Sequence, residues 1–210
     1  VEGTEFLENG DAVLICGGIG AAAARRAAEA LVVHANPRIV LSIGFAGALR
    51  PKQKVGDVAV PAEVLDAVTG GHYPTQFGAG VLLSVGEIAN VEQKRALGNH
   101  FGADAVDMEA AAVAEVAMRH SLPFAAVKAI SDGFEFRMPP LEGFVDRAGK
   151  FHETRFAIFA ALRPWLWPSV VALASHTSRA SVTLSQRVQH LIKQELPKST
   201  SELVSPAGSR

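Results

Sequence analysis

Short, unbroken apolar runs alternate with longer segments of helical periodicity along this chain, the pattern of buried strands feeding helices. Residues 12–16 are apolar and end in Gly17-Gly18-Ile19-Gly20; an alanine-rich helical pattern follows to about residue 34, where Asn36-Pro37 breaks it. Alanine favours helix, and its small side chain permits close packing on a sheet. Residues 39–43 form the next strand, closed by Gly44-Phe45-Ala46-Gly47, and 55–61 form another after turn residues at 51–54. Strands are predicted at 64–68 and 80–85, with a loop at 70–74 between them. A helix at 92–101, a strand at 105–108, a helix at 110–120 and a strand at 124–130 complete the regular part. Residues 134–149 contain Pro and Gly and read as a loop over a site. From 152 the pattern is helical with breaks, and 197–210 read as a flexible polar tail. Strands alternating with helices predict an α/β core, in a single domain over 1–196.

The 210 residues suit one domain, and an apolar fraction of 49% supplies a sizeable core. A formal net charge of −1 offers no field to attract nucleic acid. Cys16 is the single cysteine, so no internal disulfide forms; that fits a reducing cytoplasm, with Cys16 expected as a small buried hydrophobe. No secretory leader is read at the N-terminus. The apolar stretch 156–174 approaches spanning length, but Arg163, Pro164 and Pro168 interrupt it. It reads as two short apolar segments rather than a membrane span. The histidines show no metal-ligand spacing, so no metal site is predicted.

Three features carry candidate chemistry. Gly18-Ile19-Gly20-Ala21-Ala22-Ala23 matches G-x-G-x-x-A between a strand and a helix. A dinucleotide site would add an acid at the end of the next strand, and Leu41-Ser42-Ile43-Gly44 has none. The turn still offers backbone N–H groups at a helix N-terminus, a place for an anion or a hydroxyl, or it serves packing alone. Gly44-Phe45-Ala46-Gly47 repeats the device, and two such strand ends side by side make a crevice at the carboxyl edge of a sheet. Into it come Asp107 and Glu109, two residues apart and so on one face of an extended segment, and Asp132 after the apolar run 124–130. Glu109 either complements the positive end of a helix or accepts both hydroxyls of a ribose, with Met108 against the sugar. Asp132 is either a turn residue or a general acid, because a carboxyl in a dry pocket holds a proton it can give to a purine nitrogen. Protonating the base lets it leave, and the ribosyl carbon passes through an oxocarbenium-like state, as in glycoside hydrolysis.

Gly18-Ile19-Gly20, Gly44-Phe45-Ala46-Gly47, Val55-Gly56-Asp57-Val58, Val106-Asp107-Met108-Glu109 and Lys128-Ala129-Ile130-Ser131-Asp132 occur in an order and spacing that resembles the purine nucleoside phosphorylase and methylthioadenosine–adenosylhomocysteine nucleosidase superfamily. The resemblance covers about residues 10–150. It implies a three-layer α/β/α fold around a mixed, partly closed sheet, a homodimer or larger assembly, and cleavage of the N-glycosidic bond of a purine nucleoside. It implies ribose binding by Met108 and Glu109, a proton or hydrogen bond from Asp132 to purine N7, and Ser131 orienting that acid. Residues 85–89, Ile88 among them, fall where the family places base contacts, with Phe124 near. No metal or redox cofactor is implied; phosphate is a possible co-substrate.

Three departures stand out. The family's first strand carries a glycine and, in the nucleosidases, a glutamate that activates water; Glu2, Glu5 and Glu8 stand in no matching context, so a strand ahead of Val1 is expected. The strand before Gly44 lacks the phosphorylases' arginine and Phe45 replaces a small hydroxyl residue, which favours hydrolysis unless Arg25, Arg26 or a basic residue in the expected strand ahead of Val1 compensates. Residues 151–175 read as an apolar insertion before a final helix at 179–196. Either it is a subunit interface or core helix, or it faces a lipid-like substrate or a membrane. The tail and the Val106–Ala114 region are similar to hopanoid-associated phosphorylases, which implies an adenosyl-hopane substrate and peripheral contact with the inner membrane face through 156–174. A nicotinamide-dependent oxidoreductase using the Gly18 turn and an inactive nucleoside-binding module remain the other readings.

Overall fold

The structure is a computed structural model that describes residues 5–10 and 12–194. Its strands are β1 (Glu5–Asn9), β2 (Ala12–Cys16), β3 (Val40–Ala48), β4 (Val58–Ala59), β5 (Glu63–Asp66), β6 (His72–Pro74), β7 (Val81–Ser84), β8 (Ala105–Asp107) and β9 (Phe124–Asp132). Its helices are α1 (Ala21–Ala35), α2 (Val91–Phe101), α3 (Ala110–Arg119), α4 (Glu153–Ala161) and α5 (Trp167–Gln194).

Strand alternation builds the three layers. Val64, Leu82 and Ala105 pack with alanines of α3 and with Leu31 and Val32 of α1. Their neighbours Leu65, Leu83 and Val106 point to the other face and pack with Leu97 and Phe101 of α2. The sheet between has seven strands in the order β4-β9-β3-β8-β7-β5-β6. It is mixed: β3 runs parallel to β9 and antiparallel to β8, while β7 runs parallel to β8 and β5. The segment after β6 folds back, and the Gln76 N–H donates to the Phe124 carbonyl at the start of β9, which partly closes the sheet. Every residue of β9 is buried, and α5 lies along it.

Several elements differ from the sequence reading. Residues 70–74 are not all loop, because His72–Pro74 pairs antiparallel with β5 as an edge strand. Such a short strand is set by its partner, and Pro is tolerated there because the edge needs no donor. Of 55–61 only Val58–Ala59 is strand; the residues before it turn, with Gly56 at φ 93°. Gly44-Phe45-Ala46-Gly47 does not close its strand but lies inside β3, which continues to Ala48. Residues 12–16 are a strand, yet β2 pairs with β1 in a separate hairpin, and Cys16 is exposed. The final helix starts at Trp167, so Pro168 opens a helix rather than breaking one. The expected tail at 197–210 and Glu2 lie outside the described residues.

A buried ion pair spans the sheet centre. Lys128 in mid-β9 reaches over β3 to Asp107 at the end of β8, with Nζ 2.9 Å from Oδ2 and both side chains out of water. Gly44 is paired with Lys128 in register, and a Cβ there would lie 3.4 Å from the ammonium, in van der Waals contact with it. Asp107 also accepts hydrogen bonds from Ser84 Oγ (2.6 Å) and the Ala110 N–H (2.9 Å), and Ser84 Oγ in turn accepts from the Ala111 N–H (2.9 Å). The first turn of α3 is thereby fastened to β7, β8 and β9. Lys128→Met should cost about 3–5 kcal/mol, because it strands a buried carboxylate. Denaturant unfolding should show that loss, and Asp107→Asn added to it should restore a good part.

Candidate functional site

At the carboxyl end of β3 and β9 the sheet opens into a cleft of about 140 Å³. Phe45, Ala46 and Gly47 form one wall, Ile88 lies opposite, Met108 and Glu109 enter from the start of α3, and Ser131 and Asp132 from the end of β9. The cleft adjoins a larger hollow of about 390 Å³ between residues 87–93 and 137–141, with Ile88 and Met138 bordering both. The loop read as covering a site is therefore where it was expected.

Glu109 is the N-cap residue of α3 but makes no side-chain cap to its own helix. Its Oε1 accepts from the Gly20 N–H at 2.7 Å, and its Oε2 accepts from the Met108 N–H at 3.2 Å. Burial pushes its carboxyl above the ordinary value of 4.5, and the charge of Asp107 adds to the rise; Lys128 and the two N–H groups work against it. Gly18 and Gly20 were expected to contact ligand. The structure gives the turn another task, since the Gly20 N–H holds Glu109 and the Ile19 N–H donates to the Gly149 carbonyl at 2.8 Å. Gly18 has φ 97°, and a Cβ on it would meet the Gly149 carbonyl oxygen at 2.8 Å. The N–H groups of Ile19 and Gly20 are thus engaged within the protein.

Asp107, expected to share a face with Glu109, lines the cleft as well, and its carboxylate is the helix anchor described above. The strand stops at Asp107, so the period of two that would align the two acids does not continue. Phe124 lies in the core among α1 and α3 contacts and not in the cleft.

Asp132 arrives through an irregularity in the β3–β9 pairing. Ala46 is opposite Ile130 and Gly47 opposite Asp132, so Ser131 is skipped. The kink re-aims two consecutive residues toward one place, as bulges beside sites do. Ser131 Oγ donates to Asp132 Oδ1 at 2.9 Å, and the Lys94 ammonium donates to Oδ2. Lys94 Nζ also donates to the Gly133 carbonyl at 2.9 Å. A Cβ on Gly47 would lie 2.9 Å from Asp132 Oδ2 and 3.2 Å from Lys94 Cε, so the glycine makes room for the pair.

Lys94 and Lys128 were missed in the sequence, although each left a trace. Lys94 stands with Leu97, Gly98 and Phe101 on the apolar stripe of its helix, and Lys128 interrupts an otherwise apolar strand. A lysine at a buried position needs a carboxylate partner, and the two acids nearest the site are the ones found.

The architecture and the carboxylate-lined cleft are those of an α/β protein with a site at the carboxyl edge of its sheet, and comparison with known proteins gives the family. The chain belongs to the phosphorylase superfamily, whose family model matches residues 4–91 and 80–162. It is 31% identical over 171 residues to a 5′-methylthioadenosine/S-adenosylhomocysteine nucleosidase of Marinomonas sp. (strain MWYL1), covering 63% of this chain and 74% of that one. The fold is shared with the Neisseria meningitidis 5′-methylthioadenosine/S-adenosylhomocysteine nucleosidase solved with methylthio-immucillin-A (TM-score 0.64, 18% identity, 91% of this chain and 90% of that one). It is shared likewise with Helicobacter pylori futalosine hydrolase (TM-score 0.64, 16% identity, 91% and 88%).

Because Glu109 is raised, the folded protein binds its proton more tightly than the unfolded chain does. Its stability contribution is full below pH 4.5 and is lost as pH rises through the raised value. Denaturant midpoints across pH 4 to 8 should show Glu109→Gln gaining on the parent as pH rises.

Proposed function

We propose that the chain hydrolyses the N-glycosidic bond of an adenine nucleoside. The carrying observation is that Met108 and Glu109, from the start of α3, line one cleft with Ser131 and Asp132, from the end of β9. A ribose lies against the first pair and a purine against the second, with Phe45 and Ile88 flanking the base. Each oxygen of Glu109 accepts one backbone N–H and keeps a lone pair for a ribose hydroxyl. Asp132, oriented by Ser131, delivers a proton to purine N7 as the C1′–N9 bond breaks, and water takes the oxocarbenium-like carbon.

Hydrolysis is favoured over phosphorolysis by the engagement of the nearby arginines. Arg25 pairs with Glu115 at 2.6 Å, and Arg26 donates to the Ala148 carbonyl at 2.7 Å. The nucleosidase relative points the same way. Adenine release should proceed without phosphate and should not accelerate when phosphate is added. Asp132→Asn should slow it by about 100-fold or more, the scale of a lost general acid; an unchanged rate would remove Asp132 from that role.

The finer reading is a lipid-linked adenosyl substrate of the adenosyl-hopane type, met by a cytoplasmic homo-oligomer peripheral to the membrane. What supports it is the apolar surface of the α4–α5 corner. Leu162, Trp165 and Val171 are each about seven-tenths exposed, and Trp167 and Ile158 lie beside them on the same segment. No single helix among the described residues is long and apolar enough to cross a membrane; α4 with the segment from Pro164 passes by length and composition only as a pair bent by 111°. Co-sedimentation with bilayer vesicles should fall sharply on Leu162→Glu with Trp165→Glu, while release from a water-soluble nucleoside stays intact.

A further inference from the structure

We propose that Lys94 is the positioning residue that holds Asp132 in place and supplies the proton Asp132 passes to the base. The inference rests on the reading of Asp132 as the acid. Asp132 has a hydroxyl donor on one oxygen and an ammonium on the other. A carboxylate so placed has its charge balanced, and it needs a source for the proton it is to give.

Lys94 is that source by position. It is the one cation lining the cleft among the described residues; the other ionisable groups there are Glu87 at the rim, Glu109, Asp107 and Asp132 itself. Asp107 already has Lys128 as its cation, whereas β3 contributes only Phe45, Ala46 and Gly47 to the wall. Lys94 is 2% exposed, so bulk water does not compete for its contacts.

Its helix fixes it. Asn90 and Gln93 close a reciprocal capping box at the start of α2, with bonds of 2.9 and 2.8 Å, and Lys94 is the next residue. The proton then moves twice. It leaves Lys94 Nζ for the Asp132 carboxylate, and it leaves the resulting carboxyl for purine N7, while the C1′–N9 electron pair departs with the base. Lys94 ends as a neutral amine; the water that adds to C1′ gives up one proton to solvent, and Lys94 takes one back from solvent when the product leaves.

The leaving group tests the inference. A purine needs the proton, whereas 4-nitrophenolate leaves without one. Lys94→Met and Lys94→Gln should each lower kcat for adenine release by about 100-fold, leave KM within a few-fold, and leave cleavage of the matching 4-nitrophenyl riboside nearly unchanged. Ethylammonium added to Lys94→Ala should restore part of the adenine rate. Equal slowing of both substrates would make Lys94 merely structural and overturn the inference, as would full adenine activity in both variants. If Asp132→Asn is slow while Lys94→Met is not, this inference alone fails. If Asp132→Asn is itself fast, the acid reading fails first.

Discussion

A charge taken out of water must be met by another, and the working end of this sheet is organised by that constraint. Two lysines and two aspartates are buried within a few residues of the cleft. Lys128 with Asp107 closes the sheet's centre and fastens the start of α3. Lys94 with Asp132 joins the start of α2 to the end of β9. Each pair ties together elements distant in sequence, and each has a glycine of β3 beside it, Gly44 for one and Gly47 for the other, of which Gly47 is sterically required. The Gly44-Phe45-Ala46-Gly47 segment is therefore a strand with a gap cut at Gly47, and its one large residue, Phe45, is turned to the cleft.

Much of this was legible in the sequence. The alternation of buried strands and helices fixed the class of fold, and the order of short motifs fixed the family. Glu109, Met108, Ser131 and Asp132 come to the cleft because each stands where a strand hands over to a helix or loop, and such hand-overs can be read as changes of period. Ile88 arrives there for the same reason, whereas Phe45 reaches the cleft from inside β3.

What was not legible depends on partners distant in the chain. His72–Pro74 is strand only because β5 lies beside it. The Gly18 turn looks like a ligand cradle until Glu109 and Gly149 are seen to use its N–H groups. Asp107 and Glu109 look equivalent until the chain turns between them, one acid engaged by Lys128 and the start of α3 and the other by the backbone N–H groups of Gly20 and Met108. Pro168 looks like a break until the helix it opens is seen to run on through Gln194. In each case local propensity left two outcomes, and a long-range hydrogen bond or ion pair decided between them.

The contact between the Gly18 turn and Gly149 has a consequence for how this sequence can vary. Gly149 has φ 85°, and a Cβ on it would meet the Ile19 carbonyl oxygen at 2.5 Å, just as one on Gly18 would meet the Gly149 carbonyl. The two glycines are about 130 positions apart, yet neither can take a side chain while the other backbone stays where it is. Drift at either position is therefore barred unless both loops are rebuilt together, and the same rebuilding would loosen the N–H that holds Glu109. In lineages that retain Glu109 in this role, these positions should be inherited as a linked set, with the ribose carboxylate as the reason for the linkage.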